Sequence, residues 1–96
     1  MAPRDAARSL SVMHALYPDE ADIPALAALA TGMWVRRQAR SRRAILSEEE
    51  RSGLASELSG GKSLLEKAVE LDARKNDIEN ARSEIAEAEK ELARTS

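Results

Sequence analysis

Five aliphatic residues recur every seven positions along the last third of the chain: Leu64, Leu71, Ile78, Ile85 and Leu92. Seven residues are close to two helical turns, so all five side chains return to one face of an α-helix. Ala81 and Ala88 fall three places after Ile78 and Ile85 and complete an a/d seam over the second half. Lys67 and Arg74 hold the equivalent places in the first half, where Leu65, Ala68 and Val69 widen the apolar face instead. Ser63 and Glu66 have the spacing of a capping box. Together these features predict one continuous helix from about Leu64 to Arg94, ~45 Å long at the usual helical rise.

The rest of the chain also has helical patterning. Ala6, Leu10, Met13 and Tyr17 share one face, Pro3 suits a first turn, and Tyr17-Pro18 ends the run. A second helix is expected from Asp22, an N-cap residue, with Pro24 tolerated in its first turn. From Ile23 to Val35 the chain is apolar nearly all round, the mark of a central, well-covered helix. Ser47 with Glu50 predicts a capping box opening a third, short helix, which Ser59-Gly60-Gly61 is expected to stop. No run alternates β-branched and aromatic residues as a strand would. The expected fold class is therefore all-α: a small bundle or hairpin of three to four helices with a long C-terminal coiled-coil-like helix. Residues 1–61 are expected to form a compact helical head in which one helix has an Arg-rich end, and residues 62–96 the long amphipathic helix, within one domain overall.

Composition limits what such a bundle can hold. With no Phe, one Trp and one Tyr, the core must be thin and made of Leu, Ile, Val, Met and Ala. That leaves little room for a deep catalytic pocket. There is no cysteine, and His14 is the only histidine, so no zinc site can be assembled from the usual ligands. Neither metal nor cofactor binding is expected, and no nucleophile with its base and orienting acid stands out, so the chain reads as non-catalytic. The apolar block is shorter than the ~20 residues of a membrane span, and the N-terminus lacks the pattern of a secretory signal. A soluble protein, cytoplasmic or assembled there into a larger particle, is the expectation.

Leu58-Ser59-Gly60-Gly61-Lys62 resembles the LSGGQ signature of ABC-transporter ATPases, with Lys62 in place of the Gln. That family's phosphate-binding loop and strand-borne acid have no counterpart in this sequence. The run reads instead as a helix C-cap followed by the Ser63 N-cap.

Charge is divided unevenly. Residues 1–46 carry seven basic and four acidic residues, and residues 47–96 carry eight basic and thirteen acidic ones. Such halves can pair within a molecule, between copies or with separate partners. Three surfaces follow as candidates for contact. The first is the seam of Leu71, Ile78, Ala81, Ile85, Ala88 and Leu92, which would pair with a protein partner or with a second copy. The second is the basic face of Arg36, Arg37, Arg40 and Arg43, suited to nucleic-acid phosphates or to an acidic protein surface. The third is Trp34, which either anchors its helix in the core or acts as an interface anchor. The leading functional expectation is a helical protein–protein assembly or adaptor module. By analogy of size and shape, it would suit a component of a viral particle or secretion machine. A nucleic-acid-binding regulator is the alternative. A minor one is an acidic inhibitor of a nucleic-acid-binding partner, diluted by the six basic residues among the nine acids of Leu64–Arg94.

Overall fold

The computed structural model describes residues 3–41 and 46–94. They form four α-helices: α1 (Pro3–Leu16), α2 (Asp22–Ser41), α3 (Glu48–Glu70) and α4 (Lys75–Arg94). The all-α expectation holds, and the chain is a small helical bundle. Helix α2 is its hub. Helices α1, α3 and α4 each pack on α2, and α3 also meets α4, whereas α1 touches α2 alone.

The hub role follows from small side chains. Ala25, Ala27, Ala28, Ala30 and Ala39 are buried on α2, with Val35 fully covered among them. Gly32 brings α2 against the backbone of α4, because a Cβ placed there would lie 3.0 Å from the Glu84 carbonyl carbon and the Ile85 nitrogen. Gly61 does the same for α3, since its missing methyl would meet Thr31 Cγ2 at 3.0 Å. Thr31 is buried, and its hydroxyl donates to the Ala27 carbonyl at 2.8 Å, so its polar group is satisfied within α2.

The Ser47 box forms as expected. The Glu50 N–H donates to Ser47 Oγ at 3.1 Å, and the Ser47 N–H donates to Glu50 Oε1 at 3.2 Å. The expected stop at Ser59-Gly60-Gly61 does not occur. Helix α3 runs through both glycines, and Ser63 donates to the Ser59 carbonyl at 3.3 Å as an interior residue rather than an N-cap. Two mid-helix glycines cost ~2 kcal/mol relative to alanine. Burial of Leu54, Leu58 and Ala68 along the same helix offsets that cost.

The break falls instead at residues 71–74, so the single long helix after Ser63 is replaced by the end of α3 and all of α4. Asp72 adopts φ 63°, the left-handed region. The Asp72 N–H donates to the Val69 carbonyl at 3.1 Å and the Ala73 N–H to the Ala68 carbonyl at 3.0 Å. This pair of bonds is a Schellman motif, completed by the contact of buried Ala68 with Ala73. The expected boundary at residue 61 therefore lies in the middle of a helix.

The heptad seam is used inside the chain. Ala81, Ile85, Ala88 and Leu92 are buried with Ala28, Val35, Leu46, Leu54 and Leu58 in the main core. Ile78 packs against a satellite cluster of Ala25, Ala68 and Ala73, and Leu71 caps α3 half-buried. The seam thus binds α2 and α3 of its own molecule and offers no free face to another helix. The thin, small-residue core predicted from composition is the reason. With so few large side chains, the bundle closes only if its best aliphatic stripe turns inward.

Candidate functional site

The basic face is the first candidate to be altered by the fold. Arg36 and Arg40 each reach an acid of α4, Arg36 half-buried and Arg40 still largely exposed. Arg36 Nη1 donates to both carboxylate oxygens of Glu84 at 3.2 Å, and Arg40 Nε lies 3.4 Å from Glu91 Oε1. Glu91 also receives Arg94 at 3.2 Å. Arg37 is exposed, and Arg43 lies outside the described residues. The opposite-signed halves of the chain thus pair within one molecule at Arg36 and Arg40, the second through an ion pair that leaves its side chain 60% exposed.

Trp34 behaves differently from both expectations taken singly. It packs on the main core with one side while remaining half-buried. Its other side floors a surface groove of about 500 Å³ between α1 and α3. A second hollow of about 340 Å³ adjoins it, sharing Trp34 and Glu57, and continues along α2 and α3 to Leu46 and Glu49. The groove exists because α1 leans on α2 without reaching α3.

Each wall has a distinct chemistry. On α1 the lining is Ala7, Arg8, Ser11 and Val12. On α3 it is Ser56, Glu57, Gly60, Gly61 and Leu64, and the adjoining hollow adds Glu49, Glu50, Gly53 and Leu54. At 100° per residue Gly53, Ser56 and Gly60 stand on one helical face, so that wall is low and admits close backbone approach. The groove hydroxyls of Ser11 and Thr31 donate to the Ala7 and Ala27 carbonyls of their own helices, both at 2.8 Å. They therefore present apolar bodies rather than polar groups to an occupant. The groove's described lining includes no histidine, cysteine or lysine. Such a surface suits the apolar side of a helix and lacks the paired groups that activate a nucleophile.

Several large apolar side chains outside the groove are exposed: Met13 and Leu16 on α1, Tyr17 just after it, Leu26 and Met33 on α2 and Val69 on α3, with Val12 at the groove edge. The sequence pattern placed Met13 and Tyr17 on one helical face with Ala6 and Leu10. Among the α1 residues whose burial is described, Ala6, Ala7, Leu10 and His14 turn partly inward. Trp34 was the one groove residue that composition singled out. The glycine-lined wall was missed because Gly60-Gly61 reads locally as a helix end. Its signal was the spacing of Gly53, Ser56 and Gly60, interpretable only once α3 is known to continue.

Among the described residues no helix is long and apolar enough to cross a membrane. In comparison with known proteins, no family model, no curated protein and no solved structure matches this chain.

Proposed function

We propose that this protein is a non-catalytic helical module that works by binding another helix in the groove floored by Trp34. The observation that carries this reading is the gap in the bundle. Helix α2 is covered by α1, α3 and α4, but between α1 and α3 a strip of α2 bearing the chain's one Trp stays open. A helix laid there would bury the indole against small residues, which is how aromatic anchors give binding energy at interfaces. This keeps the protein-assembly reading and moves it from the heptad seam, which is spent internally, to the groove. The nucleic-acid alternative is less well supported, since Arg36 and Arg40 are engaged by Glu84 and Glu91.

The test is photo-crosslinking in the native cell. A photoreactive residue is placed at Ser56, on the groove wall, or at Glu79, on the exposed outer side of α4. The expected outcome is a discrete protein adduct from Ser56, reduced by Trp34→Ala, with none from Glu79. Equal yields from both positions, or none from Ser56, would remove the reading.

A further inference from the structure

We infer that the occupant of the groove is helix α1 of a second copy of this chain, the two copies exchanging α1 contacts about a two-fold axis. This rests on the groove being a helix-binding site and adds the identity of what fills it. Three observations carry it.

The first is that α1 has more apolar surface than its own bundle uses. It packs on α2 alone, and none of its described side chains is fully buried. Val12 is 61% exposed and Leu16 68%. With Arg8 and Ala15 these two form a stripe at i, i+4, i+7 and i+8, the pattern of a helix face laid into a groove.

The second is charge. Arg8 on the α1 wall and Glu57 on the α3 wall both line the groove, and neither has an ion-pair partner among the described residues. One unpaired cation and one unpaired anion on facing walls make a surface complementary to itself. Laid in its partner's groove, α1 of each copy can carry its Arg8 to Glu57 of the other. An isologous interface requires that reciprocity, in which each residue of a pair meets its counterpart twice. A partner of uniform charge would leave one of the two walls opposed by its own sign.

The third is length. Helix α1 has fourteen residues, about 21 Å at the usual rise. On α3 the groove and the hollow that adjoins it together run from Glu49 to Leu64, about 22 Å by the same measure. Groove and hollow together therefore match one α1 in length.

Sedimentation velocity of the purified full chain over a wide concentration range tests this, with four variants: Val12→Glu, Arg8→Glu, Glu57→Arg and the double reversal. All three positions are exposed, so far-UV circular dichroism should be unchanged and reports folding independently. The expected result is a concentration-dependent dimer, weakened roughly tenfold or more by Val12→Glu. Each single charge reversal should weaken it, and the double reversal should restore it. A wild-type chain that stays monomeric at all concentrations overturns the inference, as does a dimer indifferent to Val12→Glu and to the charge reversals. If the chain is monomeric yet Ser56 captures a different protein in the cell, only the identity of the occupant fails. If Ser56 captures nothing as well, the groove reading fails with it.

Discussion

Glycine in this protein has two opposite meanings, and only its neighbours tell them apart. At Gly53 a methyl group would meet nothing within 4 Å, while at Gly32 it would strike the α4 backbone at 3.0 Å. Backbone cannot move aside as a side-chain tip can. Gly53→Ala should therefore raise stability by about 0.5–1 kcal/mol through helix propensity. Gly32→Ala should lower it despite the same gain, because overpacking costs about 1–3 kcal/mol. Urea titration of both variants measures the two signs directly, and a stabilised Gly32→Ala would contradict the close crossing of α2 and α4. Asp72 makes a similar point about turns. A helix end without Gly or Pro was invisible as such, yet Asp tolerates the left-handed region better than most residues, and Ala73 was small enough to tuck under Ala68.

At the scale of elements, the four helices differ in how firmly they are held. Helix α4 buries Ala81, Ile85, Ala88 and Leu92, whereas no described side chain of α1 is more than partly covered. Native-state hydrogen exchange should therefore show α1 opening well before α2 and α4, at free energies below global unfolding. Protection of α1 equal to that of α4 in the monomer would mean that α1 is anchored by more than its contact with α2. In a dimer of the kind inferred above, α1 protection should rise with protein concentration. The helix best placed to contact another molecule is then the one that its own bundle holds least.

For the whole molecule, the decisive fact is where the best hydrophobic stripe goes. Ile85 is 3% exposed at the centre of the core. Ile85→Asp should therefore unfold the chain, since an unpaired buried carboxylate exceeds the few kcal/mol by which small domains are stable. Loss of the helical circular-dichroism signal at 25 °C checks this. A folded Ile85→Asp that merely failed to associate would revive the seam as an intermolecular surface. The same inward turn organises the charges. Glu84 and Glu91 flank the seam in sequence, and on the folded chain they meet Arg36 and Arg40 of α2. These pairs are partly solvated and add little stability each, but they fix which side of α4 faces α2.

Helicity, the capping box at Ser47, the start of α2 at Asp22 and the thinness of the core could all be read locally, because each depends on residues within a few turns of one another. The sequence by itself thus determined that the chain is all-helical and that one aliphatic stripe near its C-terminus must be covered. Tertiary structure alone decided what covers it. Gly61 sits where a methyl group would meet Thr31, some thirty residues away on α2, a contact that no local pattern announces. The fate of the arginines depends on carboxylates still further along the chain. The groove at Trp34 exists only because α1 docks on α2 without reaching α3. Each of these outcomes is set by contacts between distant segments, and a period or a cap says which face is apolar without saying what it will meet.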